Sequence, residues 1–208
     1  MTLRLSPEEI GQRYDQIADY YEKTRTQTYG TQYIERFLSL LPAKGRYVRR
    51  QTILELGCGP GLPHTKQLVA SGAKVYGLDI SREMINKARK NVPGALFLRA
   101  DVSRCEIERQ FDAILAWDSL FHLPLDKQAS TIRKITAWLA KDGVFLFTAG
   151  GGAGELRSTM HGVEFYYSSL SVEHYLQLLA ENNCRVLFNE LDDPSSHGHR
   201  VICCRKLK

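Results

Sequence analysis

Three short stretches hold the residues whose types and spacing are suited to chemistry. In Ile53-Leu54-Glu55-Leu56-Gly57-Cys58-Gly59-Pro60-Gly61, an apolar strand runs straight into a glycine loop. Such a loop lets the backbone turn sharply and lets a ligand approach where any side chain would collide. The glycines follow GxGxG spacing, and Leu62 stands where a dinucleotide-binding GxGxxG needs its third glycine, which argues against a nicotinamide-dependent oxidoreductase. Asp79 ends Lys74-Val75-Tyr76-Gly77-Leu78-Asp79. A carboxylate at the carboxyl end of a second parallel strand can accept both hydroxyls of a ribose, and Ser81 is available to cap the helix that follows. Asp101-Val102 ends a third strand, where a carboxylate accepts from an exocyclic adenine amine while Ile80 and Val102 flank the ring.

A fourth stretch runs from Phe111 to His122 and puts Trp117, Asp118 and His122 just beyond a strand. Open parallel sheets bind ligands outside the carboxyl ends of their strands, so these side chains face cofactor and acceptor together. Residues 150–170 are expected to form a loop without strong periodicity, carrying Arg157, His161, Tyr166 and Tyr167 as substrate contacts. Long loops in a compact domain are more often functional than idle. His122 and His161 are the candidate general bases. His197 and His199 fall in the final turn and are assigned a structural role. Cys203 and Cys204 are adjacent in a strand, point to opposite faces, and cannot hold one ligand together.

The elements that must position these residues alternate. Short apolar runs predict strands over 52–56, 74–79, 96–100, 111–117, 143–148, 185–189 and 200–205. Amphipathic segments predict helices over 62–71, 81–91, 126–140 and 171–181, the alternation expected of parallel strands joined by crossover helices. The last two strands are separated only by a turn-rich segment and are expected to pair antiparallel as a closing hairpin. Residues 1–50 read as helical. Ser6-Pro7-Glu8-Glu9 is a capping-box start, Ile10, Tyr14, Ile17, Ala18 and Tyr21 follow on one stripe, and a second helix carries Ile34, Phe37, Leu38 and Leu41 before Pro42.

The 208 residues suit one compact domain, and 43% hydrophobic residues with 10 Tyr, 8 Phe and 2 Trp exclude a disordered chain. No apolar run approaches the ~20 residues of a membrane helix, and no apolar signal core follows Met1, so a soluble cytoplasmic protein is expected. The net charge of +5 is mild, and the basic residues at Lys44, Arg46, Arg49 and Arg50 and at Arg205, Lys206 and Lys208 read as solvated surface. Five cysteines without a CxxC pair suggest neither a disulfide framework nor a zinc site. No metal is expected.

Together these stretches resemble the class I S-adenosylmethionine-dependent methyltransferases, a seven-stranded Rossmann-like family. The resemblance covers 52–207 and rests on E-x-GCGPG, GLDIS, RADV and FDAILAWDSLFHL. It implies an α/β fold with a mostly parallel sheet, helices on both faces, an N-terminal helical lid over 1–50 and a cofactor-binding unit over 51–208. It further implies that Gly57, Cys58, Gly59 and Gly61 receive the methionine part of the cofactor, Asp79 the ribose, and Asp101 the adenine, with Ile80, Met84, Val102 and Trp117 beside it. Glu55 resembles the family's acidic residue beneath the loop, near the ammonium and sulfonium. Tyr14 and Tyr21 match lid positions that often lie over the cofactor, although their spacing alone makes them part of a core stripe. Trp117-Asp118-Ser119-Leu120 departs from the N/D-P-P-Y/F of enzymes acting on exocyclic base or glutamine nitrogens. The expected reaction is methyl transfer to an O, N or S atom of a small molecule, with S-adenosylhomocysteine as product. The competing readings are an RNA or protein methyltransferase using the 44–50 basic stretch, and a non-catalytic S-adenosylmethionine-binding protein. A nucleic-acid partner is not indicated, and the oligomeric state is left open.

Overall fold

The computed structural model describes residues 4–25, 30–41, 50–192 and 198–208. Lys44, Arg46, Arg49, Pro42 and His197 lie outside the described residues.

Strands β1 (Thr52–Leu56), β2 (Lys74–Asp79), β3 (Leu96–Arg99), β4 (Phe111–Ala116), β5 (Leu139–Ala149), β8 (Cys184–Leu191) and β9 (Arg200–Lys206) form one sheet in the order β3-β2-β1-β4-β5-β9-β8. The first five run parallel, and β9 pairs antiparallel with both β5 and β8. The order reverses between β1 and β4, where Ile53 pairs with Ala113 and Glu55 with Leu115. Crossovers leave in opposite directions at such a point and open a crevice above the strand ends.

Helices α1 (Pro7–Thr24), α2 (Thr31–Ser39), α3 (His64–Ala70), α4 (Arg82–Asn91), α5 (Leu125–Ala137) and α6 (Val172–Glu181) flank the sheet. Because side chains alternate across a strand, the two faces feed separate cores. Leu54, Leu56, Ile114 and Phe145 pack with Trp138 and Leu178 on one face. Ile53, Val75, Ala113, Leu115 and Val144 pack with Phe37 and Leu68 on the other. Ser6 closes a full capping box on α1, and Ser81 and Ser171 cap α4 and α6. Among the described residues, no helix is long and apolar enough to cross a membrane.

Two expectations need correction. Residues 150–170 are not an aperiodic loop: β6 (Gly154–Met160) and β7 (Val163–Ser169) form a separate antiparallel hairpin. Its turn is His161-Gly162 with φ of 52° and 78°, the doubly positive pair of a tight two-residue hairpin. Strand β6 escapes a hydrophobicity reading because its outer face is solvated and it contributes only Leu156 and Met160 as large apolar residues. The third core cluster lies here, with Phe165 and Tyr166 of β7 against Leu5, Ile10 and Ile17. The helix expected over 126–140 also stops early. It ends at Ala137, and the Trp138 carbonyl accepts from Phe111 N at 2.8 Å, which turns the chain into β5 at Leu139.

Candidate active site

The strand ends of β1 to β4 and the overlying α1 frame a cavity lined mostly by apolar groups. The loop after β1 is tied down by Gly57 N and Cys58 N, which donate to Leu78 O at 2.7 and 3.1 Å. Gly57 has φ 69°, and a Cβ there would lie 2.3 Å from Ser119 Cβ, so this glycine admits the β4 loop. Gly59 differs. A Cβ there would meet only Tyr21, at 3.7 Å, which leaves an open cradle on the cavity side. Asp79 sits at the same rim and accepts from Gly59 N at 2.9 Å and Ser81 N at 2.8 Å. Burial raises its carboxyl to about 6 in spite of those two donors. Ile80, Met84 and Val102 supply an apolar stretch between Asp79 and Asp101, whose Oδ1 accepts from Ser103 N and Oγ.

Helix α1 crosses this crevice and is pinned at several points. Asp15 Oδ1 accepts from Ser81 Oγ at 2.5 Å and Glu83 N at 2.9 Å. Lys87 reaches Asp19 and Glu22 at 2.6 and 2.9 Å. The Tyr14 and Tyr21 rings therefore hang over the strand ends, edge to face, with centroids 5.4 Å apart.

A second, larger and more open cavity adjoins the first. Its lining comes from the end of α1, the loop after β4, the glycine run 150–154, the hairpin and His199. Tyr14, Tyr21, Asp118 and His122 line both cavities and form their common wall. His122 is fully committed there. Its Nδ1 lies 3.0 Å from Tyr166 O, a carbonyl that can only accept, so Nδ1 carries the proton and Nε2 accepts from the Tyr14 hydroxyl at 2.8 Å. Burial pushes His122 down to about 4, and it holds Tyr14 well above the ordinary phenol value. The pair is neutral, and the Tyr14 oxygen turns only lone pairs toward the cavities. Asp118, at φ 48°, is held by Thr148: its N donates to Thr148 Oγ1 at 2.7 Å, and that hydroxyl lies 3.3 Å from Oδ1.

Not every expected residue reaches these cavities. Trp117 falls on the α2 and α3 face with Ala113 and Leu115, its ring 5.7 Å from Tyr33 and 5.5 Å from His64. Strand alternation decides this, because Trp117 follows Ala113 and Leu115, whose side chains take that same face. Glu55 lies below the loop, accepting from Thr65 Oγ1 at 2.5 Å, and burial raises it to about 8. The Cys58 and Gly61 side-chain positions also turn inward, Cys58 Sγ toward Gly77 and Gly61 toward Val92 of the α4 end. His161 is exposed at the hairpin turn and stacks on Tyr20 at 3.4 Å between centroids. Arg157 pairs with Glu164 across the hairpin. Tyr166 is buried, with its hydroxyl 2.6 Å from Glu155, whereas its neighbour Tyr167 does line the larger cavity.

Sequence reasoning passed over Arg25, which lines the larger cavity together with His199. Arg25 follows Tyr14 and Tyr21 at i+11 and i+4, a continuation of the same helical face that was there to be read. Its Nη1 approaches Asp118 Oδ2 at 3.5 Å, and its guanidinium lies 4.6 Å over the Tyr21 ring.

The family described as "Methyltransferase domain" matches residues 53–143. A malonyl-[acyl-carrier protein] O-methyltransferase of Halalkalibacterium halodurans is 31% identical over 127 residues, which is 56% of this chain and 46% of that protein. The chain spans about half the length of the curated relatives it matches. Among solved structures, the CcbJ methyltransferase from Streptomyces caelestis superposes with a TM-score of 0.73 at 16% identity, covering 94% of this chain and 98% of that one. The 1,6-didemethyltoxoflavin-N1-methyltransferase of Burkholderia thailandensis, solved with its substrate and S-adenosylhomocysteine, gives 0.71 at 19% identity over 100% and 93%. Those likenesses establish the fold, and the glycine loop, Asp79 and Asp101 all fall within the matched residues 53–143. Residues 53–143 thus match a methyltransferase domain, and they lie within a fold that this chain shares with solved S-adenosylmethionine-dependent methyltransferases.

Proposed function

We propose that this protein transfers the methyl group of S-adenosylmethionine to an O, N or S atom of a small-molecule acceptor. The observation that carries the reading is the pair of adjoining cavities with a common wall of Tyr14, Tyr21, Asp118 and His122. Methyl transfer needs two ligands end to end, with the reacting atoms meeting at one partition.

The residues present fit the cofactor. The open side of Gly59 leaves room for the methionine part beside the loop, Asp79 offers a carboxylate to the ribose, and Asp101 stands at the far end for the adenine amine. Ile80, Met84 and Val102 offer apolar contact to the ring. Glu55 supports the loop from below through Thr65. Helix α1 serves as the lid, with Tyr14 and Tyr21 excluding water, whereas α2 packs on a sheet face through Phe37. When bound, the cofactor supplies a methyl already activated by its sulfonium, so alignment and a dry site are what the chain must provide. The Tyr14 oxygen, its proton engaged by His122, accepts from a donor on the acceptor or on the cofactor.

A second reading is an acceptor borne on a carrier protein. It is favoured by the relative whose name gives it a malonyl-[acyl-carrier protein] substrate, and by the open mouth of the larger cavity. Labelled-methyl transfer into metabolite and protein extracts, followed by digestion, separates the two. Label in small molecules without digestion supports the first, and label released only by digestion supports the second. Absence of S-adenosylhomocysteine binding by calorimetry would sink both.

A further inference from the structure

Two histidines stand at the larger cavity, and their surroundings differ. His122 has both ring nitrogens engaged and is buried. His199 lies just before β9 with its side chain 24% exposed, and its Nδ1 is 3.2 Å from Asp118 Oδ1. Its Nε2 has no hydrogen-bond partner among the described residues. A carboxylate at Nδ1 selects the tautomer that carries its proton there and leaves Nε2 as an acceptor, the arrangement of a base oriented by a third group. Asp118 is itself held by Thr148 and approached by Arg25 on its other oxygen. Phe121 packs against the His199 ring at 5.3 Å and limits its rotation. Asp118 lines both cavities while His199 lines only the acceptor side, so the dyad points from the partition into the acceptor space.

We propose that His199, oriented by Asp118, is the general base on the acceptor side, and that the acceptor therefore carries its proton on a hydroxyl or amine. This rests on the methyltransferase reading above. In the step, a lone pair of the acceptor O or N forms the bond to the methyl carbon as the carbon–sulfur bond breaks and its electron pair stays on sulfur. The acceptor proton passes to His199 Nε2. The imidazolium is stabilised by Asp118 and returns the proton to solvent at its exposed edge. Asp118 is a positioning residue in this scheme.

The test has two arms. Nitrogen-15 spectra of neutral His199 in the wild-type protein are expected to show the Nδ1–H tautomer, and Asp118→Asn is expected to shift the ring toward Nε2–H. An Nε2–H ring in the wild type overturns the proposal, whatever the kinetics give. In the second arm, wild type and His199→Ala are compared on a panel of phenols, alcohols, amines and thiols with labelled cofactor. His199→Ala is expected to lower kcat by about 10²- to 10⁴-fold on hydroxyl or amine acceptors, with added imidazole restoring part of it. Its S-adenosylhomocysteine affinity should stay within about twofold of wild type, since His199 does not line the smaller cavity. A wild type that methylates thiols alone, or a variant with unchanged kcat, overturns the assignment. Loss of S-adenosylhomocysteine binding by the wild type itself would instead count against the underlying methyltransferase reading.

Discussion

The two cavities share a wall but are assembled in different ways. The smaller takes nearly all its lining from the ends of β1 to β4 and the helix laid over them. The larger gathers side chains from the last turn of α1, the loops after β4 and β5, a separate hairpin and the approach to β9. Residues that bind in the first are fixed by sheet register, whereas those of the second are fixed by contacts between segments far apart in the chain. Asp118 and His199, for example, are 81 positions apart. The sheet cannot change its strand ends without disturbing both cores, while loops and a hairpin can change at less cost.

The sharpest way to break this division is at Asp79. Asp79→Ala removes an acceptor for two ribose hydroxyls at about 1.5–3 kcal/mol each, so S-adenosylhomocysteine affinity is expected to fall by at least about 10²-fold in a calorimetric titration. Affinity like that of the wild type would move the ribose elsewhere. Because Asp79 also receives Gly59 N and Ser81 N, Asp79→Asn serves as the partner variant that keeps the shape of the rim.

The glycine loop offers a finer cut. Gly57→Ala would set a Cβ 2.3 Å from Ser119 in a left-handed backbone, and a stability loss of about 3 kcal/mol is expected in urea unfolding. Gly59→Ala meets only an ordinary contact with Tyr21, so its cost is the left-handed conformation alone, about 1–2 kcal/mol. Its cofactor affinity should nonetheless drop, since the new methyl occupies the cradle. Equal stability losses for the two variants would contradict the separation between a packing glycine and a binding one.

How far these features were legible in the sequence depends on how local their cause is. The strand, the GxGxG loop and Asp79 lie within one βαβ unit, and their roles follow from spacing. All seven strands of the main sheet and the six helices were anticipated because their apolar runs and caps are local too. The hairpin was missed because β6 is Gly-Glu-Leu-Arg-Ser-Thr-Met, mostly polar on a strand that covers a cavity instead of a core. Trp117 is expected beside the cofactor, but its alternation with Ala113 and Leu115 puts it on the α2 and α3 face. The sequence favours His122 as a base and gives His199 a structural role, because the partners that engage both nitrogens of the first (Tyr14, Tyr166) and orient the second (Asp118) are brought within reach only by the tertiary fold.

A pH-dependent effect tests the floor beneath the glycine loop. Glu55 is buried beneath the glycine loop, with a folded value of about 8 against an ordinary 4.5. Between those values the folded chain keeps a proton that the unfolded chain has released, so the stabilising contribution is complete below about 4.5 and is lost as pH rises toward 8. Asp79, raised from 3.8 to about 6, acts in the same direction over a lower window. His122 and His64, depressed from 6.5 to about 4, act in the opposite sense and are finished by about 6.5. From pH 6.5 to 8 the slope therefore isolates Glu55, and wild-type stability is expected to decline by about 2 kcal/mol relative to Glu55→Gln. The glutamine keeps an oxygen for Thr65 Oγ1 without a proton to lose. Urea unfolding of both proteins at the two pH values measures the difference, and parallel profiles would mean that Glu55 is already ionised under the loop.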